Sequence, residues 1–296
     1  MAMPTTVAQG QKIPTLNDLV KKIGSLPAFS PAIRHLVEIL RNPNTSAIQV
    51  ANGIMKDQAL TTRLLRLVNS PYYGFSRRIG TVTEAILLLG FTAVRNLLLT
   101  LGVADVFPTD PKSGVVSVCL WRHAASTAIA AGLLAREIKD PGREDLFVAG
   151  LLHDVGKLVE FKLARDPFLA AVNLTKNGAM SMRLAEEQTF GFDHTQVGHE
   201  VASAWGFPEP LREAIRYHHE PAAAPKSQRH ADLIHAADLL GHSLGVAAPL
   251  EDCPPVPDEG VWDRLGLAPN CLESVAGEMD AQYRELLAIL LPAAAA

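Results

Sequence analysis

From Leu16 onward, apolar residues return every third or fourth position rather than every second, the spacing of helices with one buried face. In TLNDLVKKIGSL, Thr15 is a cap candidate, Leu16, Leu19, Val20 and Ile23 form the stripe, and Gly24 stands near the stop. SPAIRHLVEILRN sets Pro31 in a first turn, with Ile33, Leu36, Val37, Ile39 and Leu40 behind it. NTSAIQVANGIMKD opens on Thr45 and Ser46 and carries Ile48, Val50, Ala51 and Ile54. QALTTRLLRLVNS adds Leu60, Leu64, Leu65 and Val68, and stops at Asn69-Ser70-Pro71, where proline bars continuation. TVTEAILLLG starts with a capping-box candidate, Thr81 with Glu84, and FTAVRNLLLTLGVADVF follows. Strict alternation is absent, and the aromatic cluster PYYGF is broken by Pro71 and Gly74. The pattern predicts an all-α fold, a two-lobed helical bundle.

Breaks in the pattern suggest the divisions. Residues 1–14 are polar and read as a loose N-terminus. A first helical lobe spans 15–112 and closes at PTDPKSG, Pro108 to Gly114. A second helical domain spans 113–245, interrupted by PAAAPKSQ. Residues 246–296 hold the Pro-rich connector PLEDCPPVPDEG, then VWDRLGL and NCLESVAGEMDAQYRELLAILL, read as one further amphipathic helix. No repeat of fixed period is present.

Composition narrows the function classes. The 296 residues are 48% hydrophobic and 20% charged, with a formal net charge of −4. That is ordinary globular material with no basic field for nucleic acid. Cys119, Cys253 and Cys271 are odd in number and lack CxxC spacing, which argues against a disulfide framework or zinc knuckle and for a reducing compartment. The N-terminus lacks the charged-then-apolar pattern of a signal peptide, and no uninterrupted apolar run reaches the ~18–20 residues of a membrane span. The expectation is a cytoplasmic protein without a membrane partner.

Histidine placement changes the picture most. Of ten histidines, only His35 precedes residue 120. His123 lies in an Ala-rich helical run. His153 and Asp154 end the apolar run FVAGLL, with Lys157 three residues on and Gly156 placed to close a helix. Asp193 is an N-cap candidate beside His194, and His199 falls about 140° further round that helix. His218 and His219 end another helix. His235, Asp238 and His242 share one helical face at i, i+3 and i+7. Each has an ordinary alternative: a hydrogen-bonded core histidine, a polar helix end, or a positively charged last turn. Together they come from five helices, and a bundle can converge such residues on metal.

The ordered set His123, then His153-Asp154 in HDVGK, then Asp238, resembles the H…HD…D signature of the HD metal-dependent phosphohydrolase superfamily. LPAFSPAIRHLVEILRNP, KDQALTTRLLRLVNSPYYG, IGTVTEAILLLGFTAVRNLLLT and AGLLHDVGKLVEF resemble HDOD domains over roughly residues 16–240. HDOD domains are bacterial signalling output modules related to HD and HD-GYP domains. DHTQVG resembles the HD-GYP segment that supplies a third histidine, here His194. HHEP resembles its histidine pair, here His218 and His219. PAAAPKSQ stands where the GYP triplet would be, and Cys119 stands where some relatives carry a further acidic ligand. The resemblance implies a metal centre of one or two divalent ions, Fe or Mn with Zn admitted, held by His123, His153, Asp154, His194, His218, His219 and Asp238. Two functions follow. One is a regulatory module acting on other signalling proteins in trans. The other is a phosphohydrolase acting on a phosphodiester, a nucleotide or a cyclic dinucleotide, with metal-activated water. There Asp154 would bridge the ions and Lys157 would bind a non-bridging phosphate oxygen.

Overall fold

A computed structural model describes residues 13–25, 36, 39, 45–107, 114–178, 180–243 and 255–290. The helix expected after Pro31, His35, the 108–113 break and Cys253 lie outside these residues, apart from Leu36 and Ile39. All regular structure among the described residues is helical. The helices are α1 (Leu16–Ser25), α2 (Ala47–Ile54), α3 (Gln58–Val68), α4 (Val82–Val106), α5 (Gly114–Glu137), α6 (Arg143–Leu152), α7 (Val155–Leu163), α8 (Arg165–Leu174), α9 (Met182–Phe190), α10 (His194–Ala204), α11 (Glu209–Tyr217), α12 (Gln228–Ser243), α13 (Gly260–Leu265) and α14 (Pro269–Leu290).

Local chemistry starts most of them. Thr15 Oγ1 accepts from the Asp18 amide at 3.2 Å while Asp18 Oδ2 accepts from the Thr15 amide at 3.0 Å, a reciprocal cap on α1. Ser46 and Gln49 form the same device on α2, and Asp57 caps α3. At α4 the Thr81 hydroxyl accepts from Glu84 N, but the Glu84 carboxylate reaches back to Gly80 N rather than to Thr81. Gly90 interrupts α4 at φ 84°, which is why its sequence reads as two helical segments.

α2 and α3 pack on α4, and α4 packs on α6. α5 is the central column, in contact with α6, α7, α12 and α14. Its alanines, 124, 125, 128, 130, 131 and 135, are buried, so neighbouring helices approach closely on several sides. α1 packs on α7 and α10, far along the chain. Among the described residues, two helices, α4 and α5, are long and apolar enough to cross a membrane. Of their most apolar stretches, 61% and 89% respectively is buried inside the fold. The C-terminal segment differs from the single helix expected: Gly266, at φ 65°, ends α13 before α14 begins. α14 packs on α5 and α3.

Candidate metal centre

FVAGLL is the buried body of α6, as its pattern requires. His153 is the C-cap of α6 and Asp154 is the N-cap of α7. The pair therefore sits at a junction between two helices, not at one helix's polar end. This break lets two adjacent side chains serve one cluster, which a continuous helix would turn about 100° apart. Gly156 does not close a helix. It lies in the first turn of α7 against the start of α10, where a Cβ would stand 1.9 Å from the His194 carbonyl oxygen. Its missing side chain sets the distance between the helix carrying Asp154 and the helix carrying His194.

All seven residues expected as ligands meet in one place. His123 Nε2 is 2.8 Å from Asp238 Oδ1 and 3.1 Å from His153 Nε2. Asp154 lies between two groups. Its Oδ2 faces His153 (3.4 Å) and His123 (3.7 Å), and its Oδ1 faces His194 (3.3 Å) and His218 (3.8 Å). His194 Nε2 and His219 Nε2 are 3.1 Å apart. Four overlapping triads have ligand atoms within 4.8 Å of one another: His194, His218 and His219; His123, Asp238 and His242; His123, His153 and Asp154; His153, His218 and Asp238. Most of the cluster is buried: His153, His194 and His218 are fully buried and Asp154 is 4% exposed, whereas His219 is half-buried.

Hydrogen bonds behind the cluster set which nitrogen faces inward. His153 Nδ1–H donates to Gly150 O at 2.7 Å, and His218 Nδ1–H donates to Ile215 O at 2.8 Å. A carbonyl only accepts, so the proton belongs on Nδ1, and in the neutral ring Nε2 presents a lone pair. His194 Nδ1–H donates to Glu186 Oε2 at 2.6 Å, and that oxygen also accepts from His194 N at 2.9 Å. A carboxylate or carbonyl behind the imidazole is the usual support of a metal-bound histidine. Burial, then His153 and His194, pulls His218 down to about 3, and burial also lowers His194 and His219. These rings are neutral at pH 7. Burial opposes charge on Asp154, but Lys157 and the surrounding histidines outweigh it and hold its carboxyl well below the usual range. His218 Nε2 is buried without a hydrogen-bond partner among the described residues, and Asp154 Oδ1 and Asp238 Oδ1 are buried facing imidazole nitrogens at 3.3 and 2.8 Å. Inward lone pairs and carboxylate oxygens make a donor set that could hold a metal ion.

Residues that merely lie nearby separate cleanly. His199 is partly exposed and pairs with Glu200 at 3.7 Å, away from the cluster. His235 donates from Nδ1 to His218 O at 2.7 Å and accepts at Nε2 from Asp258 N at 3.0 Å, so neither nitrogen is free to ligate. His242, outside the expected ligand set, stands 3.5 Å from Asp238 Oδ1 and joins one triad. Its position four residues after Asp238 was the readable signal. Glu186 and Glu160 were also missed. Glu160 is fully buried, and burial followed by Glu186 raises its carboxyl well above the usual range. Lys157 is buried, with Nζ 2.9 Å from Asp154 Oδ2. With Arg183 and His219 it lines a cavity of ≈250 Å³ at the edge of the cluster. Arg183, absent from the sequence reading, pairs there with Glu220 at 2.5 Å.

The chain belongs to the HDOD family, whose HDOD domain model matches residues 26–221. It is similar to a candidate phosphohydrolase from Shewanella amazonensis SB2B, with 22% identity, TM-score 0.71, and coverage of 92% of this chain and 97% of that one. It is also similar to an HDOD domain protein of unknown function from Geobacter sulfurreducens, with 26% identity, TM-score 0.62, and 92% of each chain covered. An uncharacterized protein of Treponema pallidum (strain Nichols) is 25% identical over 232 residues, which is 77% of this chain and 44% of that relative. The chain thus spans less than half the length of this curated relative.

Proposed function

We propose that this HDOD protein is a signal-transduction module whose His/Asp cluster binds one or two divalent ions, Fe or Mn with Zn admitted, and which acts through protein partners in trans. The ligands are His123, His153, Asp154, His194, His218, His219 and Asp238, with Asp154 shared between the two groups. The observation that carries the reading is how deeply most of the cluster is buried. Structural metal sites are enclosed, whereas catalytic ones keep a position open to substrate. Here six of the seven ligands are buried, His219 is half-buried, and Lys157 Nζ lies 2.9 Å from Asp154 Oδ2.

The cavity lined by Lys157 and Arg183 favours a second reading, a phosphohydrolase. A divalent ion at the cluster would supply Lewis acidity toward a phosphoryl oxygen. Lys157 would hold a non-bridging phosphate oxygen, and the Nδ1 hydrogen bonds of His153, His194 and His218 would keep the ligands oriented. The metal-loaded full chain, assayed on bis(p-nitrophenyl) phosphate beside Asp154→Ala, separates the two. The regulatory reading expects equal background rates, together with a partner that crosslinks to the wild-type chain in cells. Turnover lost in Asp154→Ala would replace it with the hydrolase reading.

A further inference from the structure

Away from the metal cluster, the segment 69–80 builds a second concave site. Asn69 staples its neck: Nδ2–H donates to Leu65 O at 2.7 Å and Ile79 O at 2.9 Å, and Oδ1 accepts from Ile79 N at 2.7 Å. Inside the neck, Tyr72 anchors the loop. Its ring lies 4.3 Å from Phe147 of α6, and its hydroxyl donates to Arg143 O at 3.0 Å. A loop held at both points is ordered before any ligand arrives, which lowers the cost of binding.

Between this loop, α3 and α14 lies a cavity of ≈950 Å³. Arg66, Arg77 and Arg78 line it against one carboxylate, Glu285. Arg77 is held by Glu84 at 2.5 Å. Arg66 and Arg78 have no ion pair among the described residues. Ser70 also lines the cavity, and its buried Oγ has no hydrogen-bond partner among the described residues. Phe75, stacked on Tyr73 with rings 4° from parallel, supplies an apolar wall. Guanidinium forks match phosphate oxygens, and a concave site of several hundred Å³ suits a small molecule better than a protein surface.

The geometry points to a binding site for a phosphate-bearing small molecule of nucleotide size in this cavity. Arg66 and Arg78 grip the phosphates, Ser70 donates to a phosphate oxygen, and Phe75 meets a ring. The site is independent of the metal cluster.

The test is calorimetric titration of the full chain with ADP, with inorganic pyrophosphate, and with poly-glutamate as a protein-like polyanion. ADP is expected to bind, more tightly than pyrophosphate. Arg66→Ser with Arg78→Ser is expected to weaken binding by about tenfold or more per arginine. Both side chains are exposed, so the double variant should melt with the wild type. Asp154→Asn, which alters only the metal cluster, should keep ADP affinity. Equal affinity in the double variant, loss of binding in Asp154→Asn, binding of poly-glutamate alone, or no binding of ADP or pyrophosphate would each overturn the proposal.

Discussion

Adding a single methyl group at Gly156 tests how the metal cluster is built. A Cβ there would sit 1.9 Å from the His194 carbonyl oxygen, 2.7 Å from its carbon and 2.9 Å from its Cα. All three are backbone atoms, so no side-chain rotation relieves the clash. Ordinary contact begins at 3.4 Å, so α7 and α10 must separate by about 1.5 Å. Overpacking of this kind costs about 1–3 kcal/mol. The same movement draws His194 Nε2 away from Asp154 Oδ1, now 3.3 Å distant. Loss of ligand support typically weakens metal binding about tenfold to a hundredfold. Gly277 in α14 provides the contrast, because a Cβ there meets nothing within 4 Å. Gly277→Ala should stabilise by up to about 1 kcal/mol through helix propensity. Urea unfolding and metal titration of both variants are the assays. A Gly156→Ala chain with wild-type stability and wild-type metal affinity would refute the reasoning.

Other outcomes follow from single contacts. Glu186→Ala removes the acceptor of both His194 Nδ1–H and His194 N, and metal affinity measured by chelator competition should fall about tenfold to a hundredfold; unchanged affinity would remove Glu186 from the site. Tyr72→Ala empties a buried ring position and should cost about 3–5 kcal/mol in urea, while Tyr72→Phe should cost about 1 kcal/mol. A Tyr72→Ala loss below about 1 kcal/mol would show that the loop is not anchored there. The pH dependence of the metal-free chain follows from His218, about 3 when folded against the ordinary 6.5 of histidine. Below 6.5 the unfolded chain takes up a proton that the folded ring refuses, so its contribution is present above 6.5 and is lost as pH falls. At pH 5 this single group removes about 2 kcal/mol. His153, raised by Asp154 and Asp238 against its burial, acts in the opposite direction. His218→Gln should flatten the slope between pH 7 and pH 5, and an identical slope would contradict the assignment.

The helical fold was readable because its elements carry their own signals. Thr15, Ser46 and Asp193 cap the helices their spacing announces, and the apolar stripes behind them are buried. The seven ligand candidates were readable from the family resemblance, and their convergence follows from helix packing. What sequence withheld was direction. His153 and Asp154 point together because a helix break falls between them, and no local rule marks a break inside FVAGLLHDVGKL. Gly156 carries the same composition signal as a helix stop, yet its role is set by α10, nearly forty residues away. His235 and His242 share a face with Asp238, but only tertiary hydrogen bonds consume both nitrogens of the first and leave the second beside His123. Glu160 and Glu186 were hidden for a related reason: a helical acid acquires its meaning from what lies across the interface.

The most direct measurement is the metal content of the full chain, purified without a histidine tag and analysed for Fe, Mn and Zn beside Asp154→Ala and His153→Ala. The account predicts at least one ion per wild-type chain, and loss of most of it in both variants. Wild-type content far below one ion per chain, or content that neither variant reduces, would contradict it.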